Sequence, residues 1–98
     1  MEAILVSIVE DIPEIREGLR FLVKQTPGFH CVSAYENAED AMAGLPGDRP
    51  DIVIMDIGLP GDTGVQCLRK IKLQGHTMQF MMFTVYEDSD QVFEALAA

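Results

Sequence analysis

Positive charge is scarce in this chain: 7 lysines and arginines face 16 aspartates and glutamates across 98 residues, leaving a net charge of −9. So acidic a surface repels phosphate backbones, which excludes direct nucleic-acid binding by this segment but leaves room for control of a basic partner domain. Long apolar runs are missing as well. No stretch approaches the roughly 18 residues of a membrane span. The opening Met1-Glu2-Ala3-Ile4 lacks the basic flank and the shape of a secretion signal. No membrane association is expected, and a cytoplasmic location follows by default. Cysteine is limited to Cys31 and Cys67, without metal-ligand spacing. Both read as small buried or half-buried thiols in a reducing compartment rather than halves of a disulfide. The only histidines, His30 and His76, flank predicted strand starts and read as surface residues.

What is present is a packed domain. The apolar share of 48% suits a globular core, and the length suits one domain over residues 1–98. Strand and helix alternate. A strand is predicted at about 3–9. A helix follows at about 13–25, with Ile15, Leu19, Leu22 and Val23 on one face and Pro13 in the first turn, where its missing N–H does no harm. Pro27-Gly28 ends it. A weaker strand spans 29–34. Asn37 caps a second helix rich in early acids, and Leu45-Pro46-Gly47-Asp48-Arg49-Pro50 closes that helix as a loop. A third strand covers 51–56. Thr63 and Gln66 form a capping box for a helix at about 64–73. A fourth strand runs from Gln79 to Val85, and Asp88-Ser89-Asp90-Gln91 starts a fourth helix. Helix-length crossovers imply parallel, right-handed pairing, hence an α/β, doubly wound parallel sheet.

Three acids stand where such a sheet binds ligands. Ile4-Leu5-Val6-Ser7-Ile8-Val9 runs into Glu10-Asp11, and Ile52-Val53-Ile54-Met55 runs into Asp56. Short apolar, β-branched runs read as strands covered on both faces. Parallel neighbours would bring their carboxyl ends to one rim, the ligand-binding edge of open α/β sheets. Two like charges 4 Å apart repel by about 4 kcal/mol at an effective dielectric of 20. A bound cation, most simply Mg²⁺, would relieve that. A purely structural account of the pair has Asp11 capping the first helix, with Glu14 completing a capping box. After Asp56 the loop reads D-x-x-L-P-x-x-x-G, with Gly58 allowing close backbone approach and Pro60 fixing the path. Thr84, at the end of the fourth strand, could donate its hydroxyl to a phosphoryl oxygen.

The ordered set of acid pair, Asp56 with D-x-x-L-P-x-x-x-G, and Thr84 resembles the receiver domain of two-component response regulators across the full chain. The resemblance implies a flavodoxin-like fold of five strands in order 2-1-3-4-5, here 2-1-3-4 with the fifth strand and fifth helix absent. It implies that Asp56 accepts a phosphoryl group from a histidine kinase phosphohistidine. Glu10, Asp11 and Asp56 would hold Mg²⁺ together with the backbone carbonyl of Gly58; Asp11 would bind directly and Glu10 partly through water. Thr84 would be the switch hydroxyl and Tyr86 a variable residue tuning access. The style of the loops looks like receivers joined to LuxR-type helix-turn-helix domains, which implies transcriptional control by a domain outside this chain.

Two departures shape the expectations. Val85 follows the switch Thr where a smaller residue is usual, and no lysine follows Lys72, so the lysine that pairs with the phosphoryl group in the family is missing. Slower phosphoryl uptake is expected. An edge at the fourth strand is expected to favour a homodimer or swapped oligomer. A non-phosphorylated interaction module is the alternative of a different class. An aspartyl-nucleophile Mg²⁺ phosphatase is remote, because it needs an acid two residues after the nucleophile and position 58 is Gly.

Overall fold

The computed structural model describes residues 3–59, 64–75 and 77–83, without the side chains of residues 64 and 65. Within them the order is β1 (Ile4–Val9), α1 (Pro13–Gln25), β2 (Phe29–Tyr35), α2 (Ala38–Asp48), β3 (Ile52–Asp56), α3 (Gly64–Leu73) and β4 (Gln79–Phe83). All strand pairs are parallel, and the sheet runs β2-β1-β3-β4. The doubly wound fold expected from the alternating pattern is therefore observed.

Residue alternation within the strands explains why both sheet faces are apolar. Val6 and Ile8 of β1 pack with Val23 of α1 on one face. Val9 of β1, Val53 and Met55 of β3, Ala38, Ala41 and Leu45 of α2, and Cys67 and Ile71 of α3 form the core of the other. Burying one such aliphatic side chain stabilises the fold by about 1.5–3 kcal/mol. The chain leaves β1 toward β2 through α1, then turns back past β1 to β3 through α2. Right-handed crossovers in opposite directions put the two helices on opposite faces. The reversal leaves a crevice between the carboxyl ends of β1 and β3.

Local chemistry sets the helix ends. Asn37 Oδ1 accepts from the Asp40 amide at 2.7 Å, the cap expected for α2, a contact worth about 1 kcal/mol. The predicted end of α2 needs correction: the helix continues through Pro46 to Asp48. The proline removes one N–H close to the C-terminus, while the buried Ala38, Ala41 and Leu45 hold the helix on the sheet. Arg49 ends it at φ 50°, its amide bonded to the Leu45 carbonyl. A second correction concerns α1. Leu22, expected on its buried face, is 61% exposed, whereas Val23 is buried. Leu22 borders a shallow apolar groove with Leu19, Ile54 and Met81.

Cys67 is buried, Cys31 half-buried, and neither is in a disulfide; His30 is exposed. Thr63 of the expected capping box, His76, Thr84, Val85, Tyr86 and the fourth helix lie outside the described residues. Among the described residues no helix is long and apolar enough to cross a membrane.

Candidate functional site: an acidic cluster at the switch point

The β1–β3 register carries the acids to one place. Val9 pairs with Met55, so the next residues, Glu10 just past β1 and Asp56 at the end of β3, stand side by side. Carboxylate oxygens of Glu10, Asp11 and Asp56 all lie within 4.8 Å of one another. Glu10 and Asp56 are buried, and Asp11 is half-buried.

Each buried carboxylate has one oxygen fixed and one bare. Glu10 Oε1 accepts the Ile12 amide at 3.0 Å, and Asp56 Oδ1 accepts the Gly58 amide at 2.8 Å. Glu10 Oε2 and Asp56 Oδ2 are buried and have no hydrogen-bond partner among the described residues. Leaving a buried polar atom unmet costs about 1–3 kcal/mol, more for a charged group. Burial pushes the Glu10 carboxyl up to about 7, the negative Asp56 beside it adds to the rise, and the Ile12 amide pulls the other way.

The capping account of the acid pair does not hold. Ile12, not Asp11, occupies the N-cap of α1, without a side-chain cap bond. The nearest substitute comes from Glu10, whose carboxylate takes the Ile12 amide. Asp11 is left for the cluster. Gly58 sits next to the cluster and holds Asp56 through its amide.

Two residues around the acids gave no warning in the sequence. Arg16, in α1, donates from Nη1 to the Glu10 carbonyl at 2.9 Å, with a longer contact of 3.5 Å to the Asp11 carbonyl. Tyr35, the last residue of β2, accepts the Glu10 amide on its own carbonyl at 3.0 Å. Its hydroxyl donates to Asp48 of α2, and its ring lies so close over Gly44 that no larger residue fits there without movement. Burial pushes the Tyr35 hydroxyl pKa up, reinforced by Asp48. Neither role has a local pattern; that of Arg16 depends on where α1 lands on the sheet, and that of Tyr35 on the pairing of β2 with β1 and the docking of α2.

A triad of carboxylates, two of them buried with an oxygen that has no partner among the described residues, has the donor chemistry of a hard divalent cation site. An open α/β sheet carrying that triad at its switch point has the layout of a ligand-binding rim. Comparison with known proteins makes the class definite: residues 6–98 match the response regulator receiver domain family, and the chain belongs to it. It is 27% identical over 93 residues to the DNA-binding transcriptional activator DevR/DosR of Mycobacterium tuberculosis, covering 95% of this chain and 43% of that protein. It is 24% identical over 95 residues to the nitrate/nitrite response regulator NarL of Escherichia coli, covering 97% of this chain and 44% of the relative. The chain thus spans less than half the length of these relatives. Among solved structures it resembles a LuxR-family two-component response regulator from Aurantimonas (TM-score 0.88, 30% identity, 98% of this chain and 69% of that one). It also resembles the receiver domain of a NarL regulator from Mycobacterium tuberculosis (TM-score 0.92, 20% identity, 99% and 78%), which bears on the fold alone.

Proposed function

We propose that this chain is the phosphoacceptor of a two-component pathway, with Asp56 taking a phosphoryl group from the phosphohistidine of a histidine kinase. The observation that carries the reading is the pair of bare, buried oxygens, Glu10 Oε2 and Asp56 Oδ2, in a triad within 4.8 Å. Such a pair is tolerable only with a proton or a cation between the charges.

Asp11, Asp56 and Glu10, with the carbonyl of Gly58, would hold Mg²⁺, Glu10 partly through water. When bound, the ion neutralises charge on the phosphoryl oxygens and on the acids. The chain's own residues do the rest. Asp56 supplies the attacking carboxylate oxygen: an O–P bond forms, the P–N bond to the kinase imidazole breaks, and the electron pair returns to that nitrogen. The Gly58 amide fixes the carboxylate orientation, which matters because phosphoryl transfer depends mostly on positioning and charge. Thr84 would donate its hydroxyl to the phosphoryl group once attached. Added charge and acceptor oxygens then bias a two-state surface. The names of the relatives support transcriptional control by an output domain as the end result.

Beryllofluoride, a phosphoryl mimic, tests the site by fluorine NMR. A bound signal that requires Mg²⁺ and disappears in Asp56→Asn is expected. No bound signal at saturating Mg²⁺, or one indifferent to Asp56→Asn, would overturn the proposal.

A further inference from the structure

We infer that Arg16 is a positioning residue for the acidic cluster, holding the backbone from which Glu10 and Asp11 project so that their carboxylates converge on a cation. This rests on the Mg²⁺ site proposed above.

Residues 10–12 form a short bend between β1 and α1. Two of the three cluster acids lie on it. Short bends have few backbone bonds of their own, so their carboxylates are only as well aimed as the bend is fixed. The Glu10 amide is held by the Tyr35 carbonyl at 3.0 Å. Its carbonyl, and more weakly that of Asp11, is held by Arg16. Arg16 stands on the first turns of α1, and α1 is anchored to the sheet through Val23. The guanidinium therefore links the bend to a fixed body rather than to another loop. With the peptide planes set, the Ile12 amide points back at Glu10 Oε1 and fixes that carboxylate, one oxygen of which lies within 4.8 Å of those of Asp11 and Asp56.

Arginine suits the task chemically. Its planar fork presents several donors at fixed angles and stays charged at every relevant pH. The half-buried side chain spends its Nη1 on carbonyl oxygens, leaving the cluster carboxylates available to a metal. Outer-shell groups that orient metal ligands are typically worth 10–100-fold in affinity.

A second role for Arg16 makes the opposite prediction. If it acted only as a nearby positive charge, it would repel a dication, and removing it would tighten Mg²⁺ binding. If it positions the ligands, removing it weakens binding. The sign separates the two.

The test is Mg²⁺ titration by calorimetry of the wild-type chain, Arg16→Gln and Arg16→Lys, with amide hydrogen exchange on each metal-free protein. Arg16→Gln should bind Mg²⁺ about tenfold more weakly or worse. Arg16→Lys, which keeps charge and reach but loses the fork, should fall between. In metal-free Arg16→Gln the Ile12 amide should lose protection while β3 amides keep theirs. Wild-type binding with equal or tighter binding by both variants would overturn the inference and leave the metal site standing. A wild-type chain that takes up no Mg²⁺ would overturn the site itself and this inference with it. If Arg16→Gln fails to fold, Arg16→Lys carries the test, and unchanged affinity there would count against positioning.

Discussion

The two ends of β3 carry the same residue type and put it to different uses. Asp51, at the amino end, is exposed, and its Oδ2 accepts the Leu5 amide at 2.8 Å. Its backbone amide and carbonyl bond Leu5 and Gln79, so it clips three strands together. Asp56, five residues on, is buried; one oxygen is held by Gly58 and the other has no partner among the described residues, in a cluster with Glu10 and Asp11. An exposed carboxylate with its bond made is finished structure. A buried one with an unmet oxygen among like charges is held in a state that a proton or a cation relieves. The distinction between the two rims lies in burial and valence rather than in residue type.

The contrast breaks most sharply under substitution. Asp56→Asn should weaken Mg²⁺ binding by at least about a hundredfold, as expected for a lost ligand oxygen in so small a donor set, while Asp51→Ala leaves it unchanged. Calorimetric titration of both variants would show this. Equal loss in the two would erase the difference between the rims.

Acid should act on one rim only. Because the Glu10 carboxyl is raised from 4.5 to about 7, Mg²⁺ must displace a proton below neutrality. Affinity should then fall by about tenfold per pH unit below 7 and flatten in Glu10→Gln. The same rise fixes a sign for stability without metal. The folded chain holds more protons than the unfolded one between about 4.5 and 7, so this group's contribution declines as pH climbs through that window and is lost above it. Chemical denaturation at several pH values in chelator would detect the decline, and Glu10→Gln should remove it.

Metal should offset that loss. At a concentration of Mg²⁺ about 100 times its Kd, the fold gains about 2.7 kcal/mol, and chelator returns the melting temperature to the metal-free value. Thermal melts of Asp56→Asn should show little response to Mg²⁺. The smallest effect belongs to the other rim. Asp51→Ala removes one exposed hydrogen bond to the amino end of β1 and should cost about 1 kcal/mol, independent of Mg²⁺, by denaturant unfolding.

Much of this was legible in the residues. An apolar, β-branched run ending in acid identifies both β1 and β3 and the rim they share, because burial on two faces and a sudden charge leave little else for such a segment. α1 (Pro13–Gln25) and α3 (Gly64–Leu73) run over the spans expected of them. The failures share one cause. Pro46 reads as a terminator, yet α2 continues through it because packing of Leu45 outweighs one lost N–H. Leu22 fits the apolar period of α1 but not its contact line on the sheet. Ile12 displaced Asp11 as N-cap because Glu10 reaches the amide instead. Arg16 reaches Glu10 only after α1 docks, and Tyr35 only once β2 pairs with β1. Tertiary placement decided each of these, and no short-range pattern encodes it.

The acceptor role of Asp56 is open to one direct measurement. The chain is incubated with a small phosphodonor, with Mg²⁺ or with chelator, and intact-mass spectrometry followed by peptide mapping reads the product. One added phosphoryl group, mapped to Asp56 and formed only with Mg²⁺, is the predicted result. No gain in mass with Mg²⁺ present, or a group placed on another residue, would contradict it.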